Sequence, residues 1–170
     1  VVPVRVVDSR SVTLGVGTMA IACAQRAAAG GTLDEVAALA TDLAARTKVF
    51  GALDTLENLK KGGRIGGAKA MLATALAIKP IIAVVDGAVE EGGKQRTRSK
   101  ARKFRVDKVS EYDGRIESLA VLHADCSDVD QFVEMLRPHF AGEIVVGEIG
   151  PVIGTHAGRG TIGVAFSTRD

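Results

Sequence analysis

A histidine and an arginine stand in two glycine-rich stretches of this sequence. His156 follows Thr155 inside the segment 148–166, and Arg64 lies inside the segment 62–67, four of whose six residues are glycine. An imidazole can donate a hydrogen bond to a carboxylate, and a guanidinium can donate two in parallel. Because glycine has no side chain, the main chain can also approach a ligand closely here. These residue types therefore indicate a site for an acidic group.

Each stretch also has a purely structural interpretation. Glycines between short apolar runs are typical of a turn-rich hairpin, in which His156 would be half exposed. Arg64 follows the segment 55–61, which reads as a short helix, so its charge could instead compensate the carbonyl groups at a helix C-terminus. The residues alone leave both interpretations open.

Three glycine patterns come close to nucleotide-binding motifs but lack the required surroundings. The pattern at 15–20 begins several residues after the preceding predicted strand, and no strand-end acid follows it at the usual distance. The pattern at 158–163 has only seven residues after it, too few for the helix that would hold a pyrophosphate. The segment 62–67 has the spacing of a P-loop, but Ala68 occupies the lysine position. The sequence therefore predicts no nucleotide cofactor.

The histidines and cysteines form no recognisable metal or catalytic motif. His123 ends a predicted strand, His139 adjoins Pro138 at a predicted helix end, and neither forms a zinc pattern with Cys23 or Cys126. No GxSxG nucleophile motif occurs either. We therefore predict no metal site, no catalytic residue and no enzyme activity of the chain on its own.

The composition is that of an ordinary globular protein. The chain has 170 residues, of which 46% are hydrophobic and 25% are charged. No run approaches the ~18 apolar residues of a membrane span, and the first residues lack the layout of a signal peptide. The two cysteines lie far apart and outside any CxxC pattern, which fits a reducing environment. These features predict a cytoplasmic protein.

Positive charge is concentrated between Lys94 and Lys108. This segment contains eight lysine or arginine residues and one acid, Asp107, so it carries +7 in a chain whose net charge is +2. A solvated helix face is the default interpretation of such a segment. A nucleic-acid site is a second interpretation, although Phe104 is the only aromatic residue present and no known motif occurs. Docking to an acidic protein surface or to an anionic lipid is the third.

The elements that would position these residues alternate between strands and helices. Apolar patterns and turn signals predict strands at 2–9, 48–55, 81–93 (a hairpin about Asp86–Gly87), 117–125, 143–154 and 161–168. Helices are predicted at 18–31, 32–47, 55–61, 66–78, across most of 94–108 and at 128–140. Thr32 and Glu35 are predicted to form a capping box. The sequence thus predicts an α/β fold with a mixed sheet and helices packed on it.

Five segments together resemble one known family. The segments are VVDSRSVTLGVG, LDTLENLKKGGRI, IKPIIAVVDG, GKQRTRSKA and VIGTHAGRGTIGV. In order and approximate spacing they are similar to the DegV family of bacterial fatty-acid-binding proteins. The resemblance runs along essentially the whole chain, and LKKGGRI and GTHAGRG are its most specific parts.

The resemblance implies the C-terminal domain of a two-domain fold. Residues 1–48 would be the remnant of the N-terminal α/β domain, a strand plus two helices, and residues 49–170 would be the C-terminal α/β domain. Family members are longer, and a threonine and a serine of their first domain help to hold the lipid carboxylate. The chain is therefore expected to lack most of that domain.

The resemblance also implies a lipid carrier. Family members bury a long-chain fatty acid between their domains and present its carboxylate to a separate ATP-dependent fatty acid kinase. That kinase forms the acyl phosphate for phospholipid synthesis. The expected partners are the fatty acid, the kinase and, transiently, a membrane surface. A nucleic-acid-binding regulatory module that uses residues 94–108 is the alternative.

Matched positions imply specific residues for these roles. The carboxylate network would consist of Arg64, His156 and Thr155. The docking surface for the kinase would consist of Arg96 with Lys94 and Arg98. Apolar side chains of the predicted helix 66–78 would line the acyl tunnel, although ordinary core packing explains them equally well: Met71, Leu72, Ala75 and Leu76.

Overall fold

A computed structural model describes residues 2–169, except for the side chains of residues 74–77. The helices are α1 Leu14–Ala28, α2 Leu33–Arg46, α3 Glu57–Lys61, α4 Arg98–Ser110, α5 Val129–Leu136 and α6 Pro151–Ala157. Two 3₁₀ helices span Gly66–Ala77 and Arg137–His139. The strands are β1 Thr47–Ala52, β2 Lys79–Val85, β3 Ala88–Gln95, β4 Ile116–His123, β5 Ile144–Glu148 and β6 Ile162–Thr168.

The described strands form one mixed sheet in the order β3-β2-β1-β6-β4-β5. The pair β4–β5 is parallel, and the other neighbouring strands are antiparallel. β6 comes last in the chain but lies in the middle of the sheet, where all of its residues are buried. This confirms the predicted α/β fold with a mixed sheet.

Helices cover both faces of the sheet. On one face α4 and α5 pack on β4 and β6, and the fully buried members of this cluster include Val109, Leu119, Phe132, Leu136 and Phe166. On the other face α1 and α2 lie over the half of the sheet that contains β4 and β6. On that face α3 and the 3₁₀ helix 66–77 cover β2 and β3, with a cluster formed by Leu53, Leu56, Leu59, Ala68 and Met71.

Several local predictions are confirmed. The Thr32 hydroxyl accepts a hydrogen bond from the Glu35 amide, and the Glu35 carboxylate accepts one from the Thr32 amide, which completes the capping box at α2. Asp86 and Gly87 have positive φ angles of 49° and 78° and join β2 to β3 in a tight hairpin. The helix predicted at 18–31 begins four residues earlier, at Leu14.

Two predictions of secondary structure are wrong. Residues 2–12 form no strand, and Val2, Val4 and Val6 remain 81%, 71% and 95% exposed, because no described strand pairs with them. The strand predicted over 143–154 ends at Glu148, and Pro151 begins α6, since proline fits the first turn of a helix. The helix predicted at 66–78 is present as the 3₁₀ helix Gly66–Ala77.

The first correction also changes the content predicted for residues 1–48. They contribute α1 and α2 but not the expected strand, and both helices pack on the sheet formed by the rest of the chain. The division of the chain at residue 48 stays a prediction. None of the helices formed by the described residues is long and apolar enough to cross a lipid bilayer.

Candidate functional site

The two glycine-rich stretches meet at one end of the sheet. β1 and β6 are antiparallel neighbours, and Ala52 at the end of β1 lies opposite Ile162 at the start of β6. α3 follows β1 after a short turn, and α6 precedes β6 after a short turn, so the two helices must emerge side by side. They are in direct contact. We call the junction formed by residues 54–65 and 151–160 the glycine junction.

His156 lies against Gly62 at the glycine junction. A Cβ atom at position 62 would overlap the imidazole ring, so only glycine admits the ring at this place. The ring is half-buried, and its Nδ1 atom is buried without a hydrogen-bond partner among the described residues. A buried ring nitrogen without a partner costs free energy, so the close contact with Gly62 holds the ring at some expense.

Two more glycines bring the turns together. Gly158 and Gly160 follow α6 with φ angles of 82° and 79°, a conformation that favours glycine. A side chain at Gly158 would overlap the amide of Asn58, and one at Gly160 would overlap the carboxylate of Asp54. The turn after α6 therefore fits closely over the turn and helix after β1.

Arg64 extends from the same place toward solvent. Its guanidinium Nη1 donates a hydrogen bond of 3.4 Å to the carbonyl oxygen of Gly62, the residue on which His156 packs. Within residues 2–169 the structure gives Arg64 no ion pair with a carboxylate. The cationic side chain of Arg64 and the imidazole of His156 thus both contact the same glycine, Gly62.

Thr155 lies beside this pair but has a partner. Its side chain is exposed, and its hydroxyl donates a hydrogen bond of 2.8 Å to the carbonyl oxygen of Pro151 within α6. The hydroxyl oxygen can still accept a hydrogen bond. Its place in the carboxylate network stays a prediction.

Arg98 fixes the turn that follows α6. Its guanidinium pairs with both carboxylate oxygens of Asp128 at 2.8 and 2.7 Å, and its Nη1 donates a hydrogen bond of 2.8 Å to the carbonyl oxygen of Gly160. The hydrogen bonds from Arg98 hold the pKa of Asp128 below its usual value, although burial acts in the opposite direction. The same interaction raises the pKa of Arg98.

The three predicted docking residues differ in their surroundings. Arg96 is exposed and has no ion pair among the described residues. Lys94 is exposed and lies 3.1 Å from a carboxylate oxygen of Glu91. Arg98 donates its hydrogen bonds to Asp128 and Gly160. Its contribution to a docking surface stays a prediction, and these contacts do not favour it.

Most of the other charges between 94 and 108 are also paired. Lys103 pairs with Asp107, and Lys108 pairs with Glu111. Arg102 pairs with Asp128, and Arg105 is fully buried. Of the eight cations in this segment, Arg96 and Lys100 are the two that are exposed and without an ion pair in the described chain.

The predicted tunnel residues also differ in how much of each side chain is buried. Met71 is fully buried in the cluster behind α3, and Leu72 is half-buried against it. The side chains of Ala75 and Leu76 lie outside the described residues. Their role in an acyl tunnel stays a prediction.

Sequence reasoning missed three residues that shape the glycine junction. Asn58 and Asp54 fill the space left by glycines 158 and 160, and Asp128 holds Arg98. Asp54 could have been noticed, because it lies at the end of the predicted strand 48–55, and sites often form at the ends of strands. Nothing in the sequence indicated Asn58 or Asp128, since the residues that they contact are far away in the sequence.

A cleft of about 440 Å³ adjoins α6. It is lined by backbone at Gly154 and Gly158 and by the side chains of His123, Glu148 and Arg159, among others. No group of three or more histidine, cysteine, aspartate or glutamate side chains in the described part of the chain could hold a metal ion.

Comparison with known proteins finds relatives along the whole chain. The family model described as "Uncharacterised protein, DegV family" matches residues 1–169. A DegV domain-containing protein of Streptomyces coelicolor is 39% identical over 173 residues, which cover 99% of this chain and 61% of that protein. The chain thus spans about three fifths of the length of this relative.

Two solved structures share the fold. A structure described as fatty acid binding of a DegV family protein from Thermus thermophilus has a TM-score of 0.88 and 33% identity, covering 97% of this chain and 61% of that one. A DegV family protein from Ruminococcus gnavus, refined with vaccenic acid, has a TM-score of 0.82 and 26% identity, covering 95% and 59%. The predicted resemblance is confirmed.

Proposed function

Because the chain belongs to the DegV family, we propose that it binds a long-chain fatty acid and holds the carboxylate at the glycine junction. The observation that carries this proposal is that Arg64 and His156 both contact Gly62. The related structures from Thermus thermophilus and Ruminococcus gnavus, described with bound fatty acid, support the ligand class.

The two side chains suit a carboxylate head group. The guanidinium of Arg64 offers several donors and a permanent positive charge, which favours the ionised acid. His156 offers an imidazole ring at the same glycine, and as a donor this ring would fix the direction of the carboxylate. Thr155 would complete the network through its hydroxyl oxygen.

The acyl chain would supply most of the affinity. Burial of about fifteen methylene groups at ~0.8 kcal/mol each gives a gross gain near 12 kcal/mol, before association costs of several kcal/mol. Of the predicted tunnel residues, Leu72 is half-buried beside α3 and keeps surface for an acyl chain, whereas Met71 is fully buried in the cluster behind α3.

We assign the chain the role of a carrier that presents its ligand to a separate ATP-dependent fatty acid kinase. The resulting acyl phosphate would enter phospholipid synthesis in the bacterial cytoplasm. Arg96, with Lys94 and the unpaired Lys100, forms the exposed positive surface for that partner or for brief contact with an anionic membrane. Attraction between such surfaces weakens as salt is added.

The nucleic-acid alternative is less favoured by the contacts. Most of the cations between 94 and 108 form ion pairs within the chain, which leaves few positive charges free to contact phosphate groups. Phe104 packs against Gly93 and lies 5.7 Å from the ammonium of Lys108, so its ring is engaged and not free to stack on a base.

Oleate binding to matched variants of the intact protein tests the proposal. Arg64→Met and His156→Gln should each weaken binding about tenfold, the loss expected for one charge-assisted hydrogen bond. Arg159→Met is the control, because Arg159 is an exposed arginine of the same junction that pairs with Asp125 instead. It should bind oleate as the wild type does.

Native mass spectrometry of the protein after bacterial expression provides the second measurement. We expect co-purified fatty acid in the wild type and less of it in the two variants. A lipid-free wild type that also fails to take up oleate would overturn the proposal. Affinity for a DNA or RNA oligonucleotide at low salt, without any for oleate, would favour the alternative.

A further inference from the structure

We propose that Arg98 is a positioning residue that couples the start of α4, where the partner would dock, to the placement of His156. This inference rests on the proposed function, because it concerns the same head-group site. It reassigns Arg98 from the docking surface, where the family resemblance places it, to the support of the glycine junction.

One side chain joins four segments of the chain. Arg98 is the first residue of α4, its guanidinium is bidentate to Asp128 before α5, and the same group donates to the carbonyl oxygen of Gly160 after α6. Its Nη1 also lies 3.9 Å from a carboxylate oxygen of Asp54, which follows β1. Arg98 can position these segments without contacting the fatty acid itself.

The turn that Arg98 holds determines where His156 lies. The amide of Gly160 donates 2.7 Å to the carbonyl of Ala124, and its carbonyl accepts from Arg98, so both polar groups of this residue are fixed. The hydroxyl of Thr161 donates 2.8 Å to the carbonyl of Ala157, next to His156. Loss of the hydrogen bond from Arg98 to the Gly160 carbonyl would therefore loosen the C-terminal end of α6. It would also loosen the contact between His156 and Gly62.

The docking surface lies immediately beside this anchor. Arg96 is two residues before Arg98, and the Thr97 hydroxyl between them accepts a hydrogen bond of 3.2 Å from the Lys100 amide, which caps α4. A partner that pulls on Arg96 or Lys100 moves the first turn of α4 and with it the guanidinium of Arg98. Docking and head-group geometry are coupled through contiguous contacts rather than through distance alone.

Arg102 provides a matched control within the same cluster. Its Nη1 also pairs with Asp128, at 2.9 Å, and donates to the amide oxygen of Gln131 at 2.6 Å. Within the described residues, Arg102 makes no hydrogen bond with the turn after α6. Arg98→Met and Arg102→Met both remove one ion pair with Asp128, but only the first also removes the hydrogen bond to the Gly160 carbonyl.

The experiment measures oleate affinity and the imidazole NMR signal of His156 in the intact protein. The signal is assigned with His156→Gln. We expect Arg98→Met to weaken oleate binding at least fivefold and to shift or broaden the ring signal, while Arg102→Met changes affinity less than twofold and leaves the signal in place. Arg98→Lys should not restore either property, because an ammonium cannot be bidentate to Asp128 and reach Gly160 together.

The outcomes separate this inference from the proposed function. If the wild type binds oleate and Arg98→Met behaves as Arg102→Met does, the positioning role is wrong and the proposed function stands. If the wild type does not bind oleate, the proposed function fails. The ring signal then still decides whether Arg98 positions His156, because that measurement needs no ligand.

Full recovery of both properties in Arg98→Lys would also overturn the inference. It would show that positive charge alone, and not the geometry of the guanidinium, is what this position requires. If Arg98→Met fails to fold, Arg98→Lys and Arg102→Met supply the comparison.

Discussion

At the scale of single residues, the burial of the charged Arg105 side chain costs free energy. This side chain is fully buried, and its three guanidinium nitrogens have no hydrogen-bond partner among the described residues. Its guanidinium carbon lies 4.8 Å from the centroid of the Phe132 ring. Burial, assisted by the positive charge of Arg98, lowers the pKa of Arg105 to about 9, while Asp128 acts in the opposite direction.

Arg105→Met should therefore stabilise the protein. An apolar side chain of similar length keeps the packing and removes the buried charge, which is worth about 1–3 kcal/mol in the free energy of unfolding at pH 7. Because the folded-state pKa is lowered, the wild type gains stability as pH rises above about 9 toward the ordinary arginine value. The advantage of the variant should shrink over that range.

Urea denaturation at pH 7 and pH 10 measures this difference. Lys103→Met is the control, because Lys103 lies on the same helix but is exposed and paired with Asp107. Its effect should stay within about 0.5 kcal/mol. A loss of stability in Arg105→Met at pH 7 would contradict the argument and indicate that the charge has a partner in the folded protein.

At the scale of elements, Asp128 joins α4 to α5. Two arginines of α4 donate to this one carboxylate at the start of α5, and its side chain is 16% exposed. Since the pair is half-buried and hydrogen-bonded at both oxygens, its loss leaves several cations without a counter-charge. The packing of α4 against the start of α5 therefore depends on this carboxylate.

Asp128→Asn should lower the free energy of unfolding by about 2–4 kcal/mol at pH 7. The folded-state pKa of Asp128 is lowered, so its contribution is fully present above the ordinary aspartate pKa and is lost as pH falls through the lower folded value. The difference between wild type and variant should thus disappear in strong acid. Asp107→Asn, which disrupts an exposed pair, should cost less than about 1 kcal/mol.

Denaturation curves at pH 7 and near pH 2 check this prediction. An Asp128→Asn variant as stable as the wild type at pH 7 would mean that the arginine cluster does not depend on the carboxylate. A difference that persists unchanged into strong acid would instead point to packing of the side chain rather than to its charge.

At the scale of the whole molecule, one sheet holds the described parts of the chain together. α1 and α2 pack on strands that come from the far end of the sequence. The predicted division at residue 48 therefore separates pieces that share an interface. The free thiols Cys23 and Cys126 lie on opposite sides of that division and are both half-buried.

We expect the two thiols to become reactive at the same urea concentration. A single cooperative transition exposes both at once when the packed elements unfold as one unit. Labelling of Cys126→Ser and Cys23→Ser variants reads each remaining thiol separately. Earlier exposure of Cys23 would show that residues 1–48 unfold independently, as a separate N-terminal unit would.

Features that depend on neighbours in the sequence were predictable. The capping box at Thr32 and Glu35 and the Asp86–Gly87 hairpin follow from local turn and cap chemistry. The strand predicted at 2–9 is wrong, because an apolar pattern shows only that a strand is possible there. A strand also needs a neighbour to satisfy its backbone, and no described strand provides one.

For the site, the sequence alone determined that an imidazole and a guanidinium stand among glycines and that one segment is strongly basic. Tertiary structure decided that β1 and β6 are neighbours, which brings Gly62 and His156 into contact, and that Arg98, Arg102 and Arg105 turn inward while Arg96 does not. The physical reason is the distance along the chain over which each kind of interaction acts. Propensities, caps and turns act over a few residues, whereas contact and burial arise between residues that are far apart in the sequence.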